Sequence, residues 1–269
     1  KKSPEKKSSV KESSNTEQII TENYLLKYKK LNLEKIIILL EDVIESSNWI
    51  NKNREIGAMV LTGSGKAFSA GGNIKDMREK KGNIFGGQPI HQQDGYRHGI
   101  QRMSQALYKI EVPLVAAVNG PAVGAGLDVI CMCDIRFGCQ YSKVGETFVN
   151  LGLIPGDGGA WFLPRIVGYQ RAAEMTFSGR ILSAEEAKEA GIFLELIAVE
   201  SLLDRATEVA ESYARKPREA IRMSKRLLRA GQRLELSDFL DLCASQQALC
   251  QTSPQHHEAV EAFFKKSLF

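Results

Sequence analysis

The sequence lacks any long apolar run. Its longest such stretches, Ile36–Leu40 and Pro113–Val118, are far shorter than the roughly 20 apolar residues that a membrane-spanning helix needs. The first residues are polar and rich in lysine, without the apolar segment of a secretory signal peptide. These absences predict a protein that does not cross a membrane and that is located in the cytoplasm.

Cysteine is scarce, and its pattern gives no metal signature. The odd number of cysteines, mostly within apolar segments, predicts reduced and buried thiols. Cys131 and Cys133 form a Cys-x-Cys pair, but no second Cys or His pair lies nearby at zinc-like spacing. We therefore expect no metal. The five cysteines are Cys131, Cys133, Cys139, Cys243 and Cys250.

Positive charge is concentrated at the start of the chain. The formal net charge is +4, and residues 1 to 11 contain five lysines against one glutamate, so the remainder is nearly neutral. Residues 1–16 contain a single apolar residue, Val10, and cannot pack a core. A basic tail can contact nucleic acid or anionic lipid, but this composition is typical of a solvated leader. We expect a disordered basic leader over 1–16 and no nucleic-acid partner.

Short apolar runs alternate with helical patterns through the middle of the chain. Gly57–Gly63, Pro113–Asn119 and Asp134–Gly138 read as buried strands. Apolar residues recur at helical spacing from Leu33 to Ile44 and within residues 94–110. This alternation predicts an α/β core with parallel strands, whereas the pattern from about residue 200 onward is entirely helical.

Two glycine-rich turns follow the first two predicted strands, at Gly65–Lys75 and Asn119–Asp128. Small residues let a ligand approach the backbone, and a helix that begins in such a turn exposes unpaired N–H groups. These groups stabilise negative charge, and two aimed at one oxygen form an oxyanion hole. Taken alone, each turn is better explained as a tight connection between strand and helix.

A dinucleotide site is the competing interpretation of the second turn. Gly120, Gly124 and Gly126 have a spacing found in some short-chain dehydrogenases. That fingerprint normally opens the first strand–helix unit, whereas here it lies in mid-chain. None of the seven tyrosines has a lysine four residues later, so the sequence argues against a dehydrogenase.

Four segments in order resemble the crotonase superfamily, the enoyl-CoA hydratase/isomerase family. They are Lys66–Lys75, Ala117–Ile135, Leu153–Arg165 and Ser178–Gly191. The resemblance extends from about Gly57 to the C-terminus. It implies an α/β fold, with a crotonase-type β-β-α spiral over 17–199 and a helical trimerisation region over 200–269. It also implies a homotrimer or a dimer of trimers.

The resemblance implies that the N–H groups of Gly72 and Ala125 hold the thioester oxygen of an acyl-CoA. Coenzyme A would enter as part of the substrate, and no covalently bound cofactor is implied. The expected contacts to substrate and CoA are Ala70, Gly72, Asn73, Ile74, Lys75, Ala125 and Phe148. The family usually begins with a two-strand hairpin and a turn that helps to hold the CoA. Residues 17–50 show no such turn, so we expect this hairpin to be divergent or missing.

The acids of the family's hydratases are only partly present. In those enzymes two glutamates act, and the first position holds Asp128, one helical turn from Ala125. Apolar surroundings would raise its pKa. The second position holds Phe148, which cannot hold or deprotonate water. Glu146 and Asp157 could substitute, although Asp157 could equally be a turn residue. If Glu146 and Phe148 shared a strand, both would face one side.

These residues favour one reaction over another only modestly. A single carboxylate can move a proton between carbons, whereas the addition of water requires a second group. The sequence therefore favours double-bond isomerisation over hydration. Two alternatives stay open: a non-catalytic binding or assembly protein with the crotonase fold, and an acyl-CoA thioesterase or decarboxylase on the same scaffold.

Overall fold

The computed structural model describes residues 36 to 266. The predicted leader over 1–16 and the region 17–35, where the divergent hairpin was expected, lie outside these residues. The predicted strands at Gly57–Gly63, Pro113–Asn119 and Asp134–Gly138 each contain an observed strand. The strands of the described chain are β1 (Met59–Thr62), β2 (Leu114–Val118), β3 (Ala122–Val123), β4 (Ile135–Gly138), β5 (Val144–Gly145) and β6 (Glu195–Leu196).

All strand pairs are parallel, as the sequence predicts. The main sheet has the order β1-β2-β4-β6, and a two-stranded sheet pairs β3 with β5. An isolated bridge from Ser69 to Ala122 attaches the first glycine-rich loop to the small sheet. The fold is of the crotonase type: mixed α/β, with a helical C-terminal region.

Helices connect and cover the strands. The long helical pattern predicted within 94–110 is interrupted by a π-helix at Tyr96–Ile100, and a 3₁₀-helix spans Thr147–Leu151. The α-helices are α1 (Ile36–Lys52), α2 (Ile74–Arg78), α3 (Gly82–Phe85), α4 (Pro89–Gly95), α5 (Gln101–Tyr108), α6 (Ala125–Cys131), α7 (Gly159–Val167), α8 (Tyr169–Ser178), α9 (Ala184–Glu189), α10 (Val199–Ala214), α11 (Arg218–Ala230), α12 (Leu236–Gln251) and α13 (Pro254–Lys266).

The central strand β2 is buried on both faces, which explains its continuous apolar run. Val115 and Ala117 pack with Leu202 and Ala206 of α10 on one side. Leu114, Ala116 and Val118 belong to the larger core on the other side, with Leu107, Leu127 and Ile130. Because successive side chains point to opposite faces, one strand joins the two cores and fixes the loop that follows it.

Buried cations attach α11 to the core. Lys225 donates to the carbonyl of Val112 at 2.6 Å and to the carboxylate of Asp134, and burial lowers its pKa to about 8. Arg222, also buried, donates to Glu111 and to backbone carbonyls in the turn between α1 and β1. None of the helices in residues 36–266 is long and apolar enough to cross a membrane.

Candidate active site

The two glycine-rich loops lie against each other through backbone hydrogen bonds. The N–H groups of Phe68 and Ser69 both donate to the carbonyl of Pro121 at 3.0 Å, and Val123 N–H donates to Ser69 O at 3.1 Å. A Cβ on Gly126 would lie within the van der Waals radius of the Ser69 carbonyl, so this approach requires glycine. Two further hydrogen bonds, between residues 54 and 56 positions apart in sequence, help to fix these loops as one surface.

This contact brings the two predicted oxyanion donors together. Ala125 is the first residue of α6, so its N–H has no acceptor inside the helix. Gly71 adopts a φ of +78°, and the position of a Cβ on it lies 3.6 Å from Ala125 N. Gly72 is the next residue, and the hydrogen bonds that join the loops use neither its N–H nor that of Ala125. Both donors are therefore available to a ligand oxygen.

The residues predicted to contact CoA border solvent beside this point. Ala70, Ile74 and Lys75 are exposed, and Ile74 retains 63% of its accessible surface. The side chain of Asn73 is engaged elsewhere, because Oδ1 accepts from Lys75 N–H at 3.0 Å and Nδ2 donates to Asp76 at 2.7 Å. Asn73 is thus the N-cap of α2, and its contribution to the site is to shape the loop.

The three candidate acids meet in one buried cluster. Asp128 lies on α6, Glu146 follows β5, and Asp157 lies in the loop before α7. Asp128 and Glu146 are 0% exposed and Asp157 is 4% exposed. The N–H of Gly159 donates to Asp128 Oδ2 at 3.1 Å, and a Cβ on Gly159 would overlap oxygens of both Asp128 and Glu146. We name Asp128, Glu146 and Asp157 the carboxyl cluster.

Burial and mutual repulsion keep protons in the carboxyl cluster. Burial, followed by the negative charges of Asp157 and Glu146, raises the pKa of Asp128 well above its ordinary value. Burial also raises the pKa of Glu146 to about 7; a hydrogen bond from Asp128 opposes this shift, and the charge of Asp157 adds to it. The raised pKa of Asp128 agrees with the direction predicted from its apolar sequence neighbours. With a pKa of about 7, Glu146 is present in both its carboxyl and its carboxylate forms near neutral pH.

Several oxygens of the carboxyl cluster have no hydrogen-bond partner outside the cluster. Apart from hydrogen bonds between the carboxyl groups themselves, they have no partner among the described residues, and none of them is in contact with solvent. Buried polar atoms without partners are rare in folded proteins and commonly mark reactive sites. Those atoms are Asp128 Oδ1, Glu146 Oε1, Glu146 Oε2 and Asp157 Oδ1.

Phe148 lies beside Gly124, next to one of the two predicted oxyanion donors. Its ring approaches to 3.7 Å from the position that a Cβ on Gly124 would occupy, and Gly124 directly precedes Ala125. The possibility that Glu146 and Phe148 share a strand is wrong. Strand β5 ends at Gly145, and Glu146 is the N-cap of the 3₁₀-helix that carries Phe148. The side chain of Glu146 is fully buried in the cluster, whereas that of Phe148 is half-buried.

The structure adds residues that the sequence did not single out. Tyr96 lies on the π-helix, with its ring against Gly156. Gln101 Nε2 donates to the Gly156 carbonyl at 2.8 Å, and Ser104 Oγ donates to the Asp157 carbonyl at 2.5 Å. The one available signal was periodicity, because Tyr96 lies four residues before Ile100 on the predicted inward face.

Metal ligation is not suggested by the described residues. Between residues 36 and 266, no group of three or more His, Cys, Asp or Glu side chains has the arrangement to hold a metal ion. All five cysteines are free thiols; burial raises the pKa of Cys133 to about 12, which keeps that thiol protonated. The site itself offers carboxyl groups and backbone N–H donors.

Comparisons with known proteins agree with this geometry. Residues 36–269 match the family model described as "Enoyl-CoA hydratase/isomerase". A protein of Dictyostelium discoideum described as a probable mitochondrial enoyl-CoA hydratase is 32% identical over 200 residues, covering 74% of this chain and 69% of its own. The 1,2-epoxyphenylacetyl-CoA isomerase of Escherichia coli is 31% identical over 225 residues, with coverages of 82% and 83%.

A solved structure gives the same result. The crystal structure of an enoyl-CoA hydratase from Bacillus anthracis superposes with a TM-score of 0.78 at 29% identity, and 90% of each chain is covered. The sequence resemblance is therefore confirmed. With its paired loops, its buried carboxyl groups and these relatives, the chain belongs to the enoyl-CoA hydratase/isomerase family of enzymes.

Proposed function

We propose that this protein isomerises the double bond of an enoyl-CoA thioester. The observation that carries the proposal is the carboxyl cluster, whose acids contact one another near Ala125. The ring of Phe148 lies beside Gly124, the residue before Ala125. Hydration requires a water molecule held between separated acid and base groups. Acids that touch each other, next to an apolar ring, favour movement of a proton over addition of water.

The proposed reaction conserves every atom of the substrate. The thioester oxygen accepts hydrogen bonds from Gly72 N–H and Ala125 N–H, which stabilise the negative charge of a dienolate. A carboxylate of the cluster removes a proton from C2 of a 3-enoyl thioester, and a carboxyl group returns a proton at C4. The double bond moves from C3–C4 to C2–C3. Asp128 is suited to face the substrate because it lies one helical turn from Ala125.

Hydration is the second candidate, and one specific observation supports it. The cluster contains two acids besides Asp128. A pair of carboxyl groups is therefore present, even though Phe148 stands where the family's second glutamate is expected. The family leaves both reactions open, because its model is described as "Enoyl-CoA hydratase/isomerase".

Product analysis in isotopic water separates the two reactions. The protein is incubated with 3-enoyl-CoA and with 2-enoyl-CoA of several chain lengths in H₂¹⁸O, and the products are identified by mass spectrometry. Isomerisation gives products of unchanged mass with the double bond moved. A product that is heavier by one molecule of ¹⁸O-labelled water would show hydration and contradict the proposal. Absence of turnover with all these thioesters would contradict both.

We also propose assembly into a trimer or a dimer of trimers. The support is a set of apolar side chains that the single chain leaves exposed on its C-terminal helices: Leu228, Leu236, Leu240, Leu249, Phe263 and Phe264. Light scattering coupled to size-exclusion chromatography should give a mass of three or six chains. A monomeric mass at micromolar concentration would contradict this assembly.

A further inference from the structure

The loop before α7, which carries Asp157, is held by side chains from one face of α5. Gln101 Nε2 donates to the carbonyl of Gly156 at 2.8 Å, and Ser104 Oγ donates to the carbonyl of Asp157 at 2.5 Å. Gln101 and Ser104 are one helical turn apart, so their side chains leave α5 on the same side. Two successive carbonyls of the loop are therefore fixed by a single helical face.

The π-helix adds a third contact on this face. The N–H of Gln101 donates to the carbonyl of Tyr96, which is the hydrogen bond of a π-turn. Residues with this separation do not share a face of an α-helix, but a π-turn brings them into line. The Tyr96 ring accordingly lies over the loop, and its Cε1 is 2.9 Å from the position that a Cβ on Gly156 would occupy. Because Gly156 has no side chain, the helix and the loop can approach this closely.

Ser104 uses its hydroxyl in an unusual way. A serine inside a helix commonly donates to a carbonyl of its own preceding turn. Ser47 of α1 does so, because its Oγ donates to the Val43 carbonyl at 2.7 Å. Ser104 is also buried, yet its hydroxyl donates to a residue 53 positions away in the sequence. The bond therefore joins two parts of the fold, where the alternative within the helix would join none.

Attachments of the backbone determine where Asp157 lies. Its side chain is buried, and Oδ1 has no hydrogen-bond partner within the part of the chain that the structure describes. After Asp157, the loop is attached at Gly159, whose N–H donates to Asp128 Oδ2 at 3.1 Å. At and before Asp157, it is attached through the two carbonyls that α5 holds. The carboxyl group can therefore leave the cluster only if one of these attachments gives way.

We propose that Gln101 and Ser104 are positioning residues for Asp157: by holding the carbonyls of Gly156 and Asp157, they place the Asp157 carboxyl group against the other acids of the carboxyl cluster. Contacts between acids depend on distances of a few tenths of an ångström, so a small displacement of the loop separates them. The catalytic consequence rests on the proposed function, whereas the placement of Asp157 does not.

The placement of Asp157 is tested without any assay of activity. Aspartate labelled with ¹³C at the side-chain carboxyl is incorporated, and the NMR resonance that disappears in Asp157→Asn belongs to Asp157. Ser104→Ala and Gln101→Met each remove one donor, and methionine keeps the length of the glutamine side chain. Each variant should move the Asp157 resonance, because the carboxyl group changes its neighbours. An unmoved resonance in either variant would overturn the proposal for that residue.

Each variant has a matched control. Ser47→Ala removes another buried hydroxyl that donates to a carbonyl, but one that is bonded within its own helix. Gln105→Met makes the glutamine change at an exposed position of α5. Neither control should move the Asp157 resonance. A movement in Ser47→Ala as large as that in Ser104→Ala would show a general response of the core and would contradict a specific link.

A double-mutant cycle tests the consequence for catalysis. Ser104→Ala should lower kcat about 10-fold to 100-fold with little change in KM, because a displaced acid weakens the transition state more than substrate binding. In the Asp157→Asn background the same substitution should cost no more than about 2-fold, since the group that Ser104 positions is already absent. An equal loss in both backgrounds would show that Ser104 does not act through Asp157 and would overturn the proposal.

The two hypotheses fail in different ways. A wild-type protein that does not turn over enoyl-CoA would refute the proposed function, while the carboxyl resonance would still decide the placement of Asp157. A wild-type rate in Asp157→Asn would remove Asp157 from the chemistry and would contradict the catalytic consequence, even if both variants of α5 moved the resonance.

Discussion

The backbone N–H of Gly159 donates to Asp128 Oδ2 at 3.1 Å, and the missing side chain of Gly159 leaves the space that the Asp128 and Glu146 oxygens occupy. Gly159→Ala should therefore separate the acids. We expect a loss of activity on the order of 10²-fold, with melting temperature measured alongside. Gly231→Ala is the matched control, because a Cβ there meets its neighbours at an ordinary 3.4 Å. Wild-type kinetics in Gly159→Ala would show that close packing of the cluster is dispensable.

Ala125→Pro removes one oxyanion donor with little disturbance of the fold. Proline is tolerated at the first residue of a helix, where Ala125 lies, because that N–H has no helical partner. The turnover rate should fall by about 10²-fold or more, the usual cost of one lost donor. Val199→Pro, at the first residue of α10, provides the same substitution away from the site. A loss in Ala125→Pro no greater than in Val199→Pro would place the donor elsewhere.

Asp128→Asn should abolish proton transfer without unfolding the protein. The side chain is buried and its raised pKa favours the neutral form, so an amide of the same shape can take its place in the core. The rate should fall by roughly 10²-fold to 10⁴-fold, while calorimetry should show CoA binding close to wild type. The exposed Asp94→Asn serves as control. An unchanged rate in Asp128→Asn would exclude Asp128 from the chemistry.

The stability of the protein should depend on the charge of Glu146. Its pKa is about 7 in the folded protein and 4.5 ordinarily, so the folded state binds this proton more tightly than the unfolded chain does. The associated stabilisation is present below pH 4.5 and is lost as the pH rises towards about 7. Urea denaturation from about pH 4 to about pH 8 measures the difference between wild type and Glu146→Gln, expected to change by roughly 2 to 3 kcal/mol. Parallel curves for the two proteins would contradict the raised pKa.

Phe148→Glu should change the ratio of the two reactions. The new carboxylate would lie beside Gly124 and could hold a water molecule next to the bound thioester, which the phenyl ring excludes. We expect incorporation of water from H₂¹⁸O to rise relative to double-bond movement. Phe148→Leu keeps the position apolar and should keep the wild-type ratio. If both variants gave equal proportions of hydrated product, Phe148 would not determine the reaction.

Local patterns were sufficient to predict much of the fold. Strands β1, β2 and β4 lie within the three predicted apolar runs. Strand β2 is buried on both faces, so its run needs no polar alternation. Helix α11 lies between Pro217 and Gly231, residue types that commonly bound a helix. The break at Gly99 was not visible in the sequence, because a π-turn preserves the apolar spacing on both sides of it.

The site could be predicted only in part, because its residues lie far apart along the chain. The family resemblance pointed to Gly72, Ala125 and Asp128. The structure places Gly71, the residue before Gly72, beside Ala125, and Asp128 lies on the same helix as Ala125. The contact of Asp128 with Glu146 and Asp157 depends on how β5 and the loop before α7 return to α6, which no local pattern encodes. The resemblance assigns no role to the position of Tyr96, so its place against Gly156 emerges only from the packed structure.

The buried cations of α11 also constrain the order in which the chain can fold. Lys225 neutralises Asp134 at the start of β4, and Arg222 occupies the carbonyls of the turn that leads into β1. Until residue 225 has been synthesised, these groups lack their cationic partners, and burying the charge of Asp134 would be costly. The loops of the candidate site follow β1 and β2, and the opposite ends of these strands are held in place only once this helix has packed. During synthesis the active site should therefore form late, after α11 has docked.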